Sequence, residues 1–170
     1  MKVFISYRRG DAVALAGRLY DRLGSRVGVD SVFMDQEDIP VGQNFRQAIS
    51  HAITQSDVLL VLIGPKWLEL MDKSKASADF AIEDTDFVIE EIAAALEHDI
   101  PVVPVLLGDT SMPKYTELPL RIRNLASNQA LKLEPGERFS SDFERLMQAL
   151  PFSASLRSSV IQRVRKWLRG

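Results

Sequence analysis

Cysteine is absent from this 170-residue chain. That excludes disulfides, thiolate nucleophiles and cysteine-based zinc sites. It leaves the compartment unread, and a cytoplasmic location is the starting assumption. Histidine is scarce as well. Only His51 and His98 occur, both read as solvated helix residues, so no metal centre is expected. Charge of one sign is also lacking: the net charge is −2, which offers nothing for bulk binding of nucleic acid. No apolar run approaches the roughly 20 residues that span a bilayer. The chain opens directly into a strand pattern, without the regions of a signal peptide, so a membrane partner is not expected. Internal repeats and low-complexity tracts are missing too.

Several catalytic signatures are also absent. No GxGxxG follows the first strand pattern, no GxxxxGK[ST] occurs, and no GxSxG occurs. A dinucleotide fold of the usual type, a P-loop and a hydrolase elbow are thereby disfavoured. A Mg²⁺ pocket at the strand ends would need carboxylates. Here the first strand ends in Arg8-Arg9 and the third in Gly64-Pro65.

What is present is a soluble composition, 46% hydrophobic and 26% charged, and a length that suits one domain. The most informative stretch is 86–107, DFVIEEIAAALEHDIPVVPVLL, a short amphipathic helix running into a buried strand. From Val88 the apolar residues recur at Ile92, Ala95 and Leu96, the spacing of one helix face. Glu90 and Glu97 point away from that stripe. Glu91 sits at its edge, half in and half out of the core, with Phe87 one turn earlier on the same side.

Around this stretch the chain alternates strand and helix patterns. Residues 2–6 read as a strand, followed by a polar loop in which Asp11 caps a helix over 12–23 carrying Leu15, Leu19 and Leu23. Gly24 and Gly28 close that helix. Residues 31–34 are a second strand and 35–44 a loop with Pro40 and Gly42 as turn residues. Asn44 caps a helix with Phe45, Ile49, Ala52 and Ile53 on one face. The run VLLVLI at 58–63 suits a strand covered on both faces. Residues 66–71 form a helical turn, and 72–85, which show no steady period, read as loop.

Pro101 and Pro104 inside the strand at 100–107 are a local conflict that an edge position or a bulge would resolve. Residues 108–119 read as loop, 120–126 as a short helix and 128–133 as a fifth strand. SDFE at 141–144 matches a capping box before a helix bearing Phe143, Leu146, Met147 and Leu150. A last helix over 158–169 has Val160, Ile161, Val164, Trp167 and Leu168 on one side and Arg163, Arg165, Lys166 and Arg169 on the other. It reads as a packing helix with a solvated basic face, as a membrane-surface helix, or as a lead into a further module. The alternation predicts an α/β fold: an open five-stranded parallel sheet with helices on both faces, its site at the carboxyl ends of the strands.

Three segments resemble the landmarks of a TIR (Toll/interleukin-1 receptor) domain. They are VFISYRR at 3–9, FMDQEDIPVGQNF at 33–45 and DFVIEEI at 86–92, in the family's order. The resemblance covers 1–150 and leaves 151–170 as a basic helix or linker. It implies the flavodoxin-like TIR fold. Members are often fused to other modules, so 170 residues fit part of a longer protein. The likeness is to the NAD-consuming branch, which carries an aromatic, three residues, then a glutamate on this helix. Phe87 and Glu91 fit, although tryptophan is commoner than phenylalanine there.

The resemblance implies that Glu91 is the catalytic carboxylate and that Arg8, Arg9 and Phe87 contact the substrate, with Tyr7 in the same SYRR segment. It implies that the loop 35–42, from Asp35 to Gly42, gates the site and joins neighbouring subunits. NAD⁺ enters as substrate, with no further cofactor. The products would be nicotinamide and ADP-ribose or its cyclic form, in bacterial immune or cell-death signalling switched on by self-association.

Each residue also has an ordinary reading. Glu91 is otherwise a helix surface acid, and Arg8 and Arg9 otherwise loop cations, although adjacent arginines at a strand end suit a pyrophosphate. Phe87 packs in the core or stacks on a ring. Trp67 reads first as core and second as substrate contact. Asp35 binds ribose or starts the loop turn. The alternative function is a non-enzymatic module that signals through homotypic TIR contacts. A third is binding of a nucleotide signal without turnover.

Overall fold

The structure, a computed structural model, describes residues 1–34, 45–77 and 86–150. The expectations placed on Asp35 and the loop 35–42, on the Asn44 cap and on the helix 158–169 lie outside the described residues.

The elements are β1 (Val3–Ser6), α1 (Arg9–Val27), β2 (Val32–Met34), α2 (Phe45–Thr54), β3 (Val58–Ile63), α3 (Trp67–Ser77), α4 (Phe87–Glu97), β4 (Val102–Leu107), β5 (Leu131–Leu133) and α5 (Phe139–Ala149). Short 3₁₀ turns at Val29–Ser31, Tyr115–Glu117 and Leu120–Ser127 join them. The five strands form one parallel sheet in the order β2-β1-β3-β4-β5. This is the expected flavodoxin-like fold. Its strand order reverses between β1 and β3, the place where such sheets hold ligands at their carboxyl ends.

Strand alternation divides the core into two layers. Val3, Ile5, Leu60, Leu62, Val105 and Leu107 face α1 and α5, where Ala16, Leu19, Leu23, Phe143, Leu146 and Leu150 pack. Phe4, Leu59, Val61, Ile63 and Leu106 face α2, α3 and α4, against Ile49, Ile53, Trp67, Met71, Val88 and Ile92. The run 58–63 is buried throughout, as its unbroken apolar sequence requires.

Pro104 fits the sheet without a bulge. The Pro101 carbonyl accepts the Leu59 amide at 2.9 Å, so alternation turns Pro104 toward β5. The β5 ladder begins only at Val105, and no amide is needed one residue earlier. Three local expectations are corrected. α1 starts at Arg9 with Arg8 at its N-cap, so Asp11 is not the cap. α3 continues through Ser77, so residues 72–77 are helix and not loop. α5 starts at Phe139, two residues before the SDFE motif, because Phe139 and Phe143 both belong to the buried layer. Ser141 Oγ there donates to the Arg138 carbonyl at 2.8 Å and caps nothing.

Candidate active site

Three segments meet at the carboxyl edge on the α4 side: the exit of β1, the turn after β3, and the start of α4. Each is held by its own chemistry. Asp11, freed from capping, accepts the Gly64 amide on Oδ2 and the Lys66 amide on Oδ1, both at 2.9 Å. It thus clamps the turn after β3 to α1. A Cβ on Gly64 would lie 2.5 Å from Asp11 Oδ2, so glycine is required there. The turn delivers Trp67 into the core, where its ring is fully buried.

Arg8 leaves β1 and turns into the same layer. Its Nη2 donates to Asp86 Oδ2 at 2.7 Å, and its guanidinium lies 4.9 Å over the Trp67 ring. Asp86 is the N-cap of α4: its Oδ1 accepts the Ile89 amide at 3.3 Å. Ser6 shares the strand parity of Phe4 and lies on this side too. Three polar atoms here are buried without a hydrogen-bond partner among the described residues: Ser6 Oγ, Arg8 Nε and Trp67 Nε1.

Glu91 follows in the second turn of α4 and is 6% exposed. It lies deeper than the half-buried edge position expected of it. Glu90 is the surface acid, as expected, and it is ion-paired. Arg121 donates to Glu90 Oε1 at 2.6 Å and to Glu97 Oε1 at 3.3 Å. Those two hydrogen bonds hold the Arg121 guanidinium above its ordinary value. Phe87 is half-buried and lines a shallow 170 Å³ hollow with Ile49, Ser50, Glu90, Ala94 and Arg121.

The two adjacent arginines part company. Arg8 belongs to the α4 layer, whereas Arg9 is exposed at the start of α1. It lines a separate hollow of about 630 Å³ with Val13, Pro65, Leu107 and Asp109. Tyr7 is half-buried and packs against the α1/α5 layer. The structure therefore brings Arg8, Trp67 and the α4 start together, and directs Tyr7 and Arg9 to the other side. Among the described residues no cluster of three metal-ligating side chains occurs, and no helix is long and apolar enough to cross a membrane. Asp86 is the residue that sequence reasoning missed. An aspartate immediately before an apolar helical period is an N-cap signature and would have marked it.

Comparison with known proteins agrees with this architecture. A family model for the TIR domain matches residues 3–147. The chain is 29% identical over 126 residues, 74% of its length, to the NAD(+) hydrolase sarm1 of Drosophila melanogaster, and spans 8% of that relative's length. Among solved structures it is similar to the TIR domains of the activated Roq1 resistosome that recognises the effector XopQ. There the TM-score is 0.61 and the identity 17%, over 86% of this chain and 97% of that one. It is also similar to a TIR-STING receptor of C. gigas in complex with 2',3'-cGAMP. The TM-score there is 0.54 and the identity 20%, over 84% of this chain and 38% of that one. With the family match running nearly from end to end of the described fold, the chain belongs to the TIR domain family.

Proposed function

We propose that this TIR domain cleaves the nicotinamide–ribose bond of NAD⁺, with Glu91 as the catalytic carboxylate. One observation carries the reading: Glu91 is buried, 6% exposed, in the second turn of α4, the helix whose N-cap Asp86 holds Arg8 at the carboxyl edge of the sheet. Burying a carboxylate is costly, and such groups concentrate where chemistry is done. The relationship to a protein named as an NAD(+) hydrolase supports the same substrate.

The chemistry asks little of the protein. Nicotinamide departs as a neutral molecule from a cationic ring, so no general acid is needed. The C–N bonding pair leaves with nicotinamide, and an oxocarbenium-like ribose carbon remains, as in glycoside cleavage. An ionised glutamate beside it stabilises the developing positive charge. Water then adds to give ADP-ribose, or an adenine nitrogen of the same molecule adds to give the cyclic product. Self-association through the loop 35–42 would complete the site, and the setting would be immune or cell-death signalling.

The test is nicotinamide release from NAD⁺ at high protein concentration. Glu91→Ala should lower the rate by about 100- to 1,000-fold, whereas Glu90→Ala should stay within about twofold. An unchanged rate in Glu91→Ala would remove the proposed site. One observation favours the second reading, a non-enzymatic homotypic module. Arg8, the cation that the resemblance assigns to substrate, is 8% exposed and paired with Asp86. That module would associate with rising concentration and release no nicotinamide.

A further inference from the structure

A guanidinium that is 8% exposed has left water almost entirely, and an isolated buried cation is costly. Two contacts offset the cost. Asp86, itself 10% exposed, accepts from Nη2 at 2.7 Å. The Trp67 ring lies beneath the guanidinium at 4.9 Å, in cation–π range. Asp86 holds Arg8 and the first turn of α4 together. Oδ2 holds Arg8, Oδ1 accepts the Ile89 amide, and the Asp86 carbonyl accepts the Glu90 amide at 3.1 Å. The first turn of α4 is therefore fastened to the exit of β1, 78 residues away, through a single carboxylate. Glu91 stands on the next turn of that helix.

We infer that Arg8 and Asp86 are positioning residues: their buried ion pair fixes the start of α4 against β1 and so sets where Glu91 stands, in place of a contact between Arg8 and substrate phosphate. As a unit the pair is neutral, which gives it little attraction for a pyrophosphate. Arg9, by contrast, is exposed at the first residue of α1. The kinetic part of the inference rests on the proposed NAD⁺ cleavage; the structural part does not.

The test uses Asp86→Asn, Arg8→Lys and the double variant. Asparagine keeps a capping oxygen but removes the charge. Lysine keeps the charge but loses the planar stack and fork. Amide hydrogen exchange is read first. Each single variant should speed exchange over residues 88–92 by about tenfold while β3 amides keep their rates, and the double variant should be no faster. Unchanged exchange in 88–92 would overturn the inference, and so would equal acceleration across β3. In the nicotinamide assay both single variants should lower kcat by about 10- to 100-fold with KM within about twofold. A raised KM with kcat held in Arg8→Lys would overturn it and make Arg8 a ligand contact. A wild type that releases no nicotinamide would sink the enzymatic reading, and the exchange result would still decide the role of the pair.

Discussion

Two carboxylates are buried on opposite faces of the sheet, Glu91 at 6% and Asp142 at 2% exposure. Their neighbourhoods differ. Asp142 is held locally: Oδ2 accepts the Glu134 amide at 3.0 Å and Oδ1 takes the Arg145 guanidinium. It ties the exit of β5 to α5. Glu91 stands one turn into α4, the helix whose N-cap Asp86 is joined to Arg8 at the exit of β1, 78 residues away. Burial of a charge is thus no mark of function by itself. A carboxylate that ties one loop to its own helix is architecture, whereas one on the helix that starts at the switch point of the sheet is a candidate for chemistry.

The sharpest way to test this difference is to remove one large ring from each face. Trp67→Ala and Phe143→Ala, both fully buried positions, should each cost about 3–5 kcal/mol in denaturant unfolding. Only Trp67→Ala should also depress nicotinamide release by the folded protein; equal loss in both would erase the distinction between the layers. Gly64→Ala comes next. Its Cβ would meet the Asp11 carboxylate at 2.5 Å, and a lower urea midpoint by about 2 kcal/mol is expected. A neutral result would mean that Asp11 gives way without loss.

Asp142→Asn should cost about 1 kcal/mol at neutral pH and alter the acid profile. Burial pushes the Asp142 carboxyl up. The Arg145 side chain, the Glu134 amide and the charges of Arg145 and Arg138 outweigh it, and the net value lies below the ordinary 3.8. A folded value below the unfolded one stabilises the fold above the unfolded value, and the contribution is lost as pH falls through the folded one. Stability of the asparagine variant should therefore fall less steeply than wild type below about pH 4. Parallel curves would deny Asp142 that role. The smallest effect belongs to Arg121→Ala. Its pairs with Glu90 and Glu97 are exposed, and less than about 1 kcal/mol should be lost, with nicotinamide release unchanged.

Much of the fold was legible in the sequence because burial imposes a period. Leu15, Leu19 and Leu23 marked α1, the run 58–63 marked a central strand, and Val88 and Ile92 marked α4. What escaped was decided by partners distant in sequence or by side chains with two uses. Residues 72–77 lack a steady period, yet Trp67 and Met71, four apart, anchor α3 to the core from its first turn. SDFE and Asp11 carry the chemistry of caps, but Asp142 turns to Glu134 and Asp11 to the turn after β3. At the candidate site, the helix face placed Glu91 at the edge of the apolar stripe, and the structure buries it further, to 6% exposure. The burial of Arg8 was not, since it depends on Asp86 across 78 residues.

The central claim is that of two buried carboxylates only Glu91 does chemistry. The most direct measurement is the rate of nicotinamide release from NAD⁺ by Glu91→Gln and Asp142→Asn beside wild type, each confirmed folded at the assay temperature. Loss of release in Glu91→Gln with release retained in Asp142→Asn is the predicted result. Release that persists in Glu91→Gln, or that disappears equally in both, would contradict it.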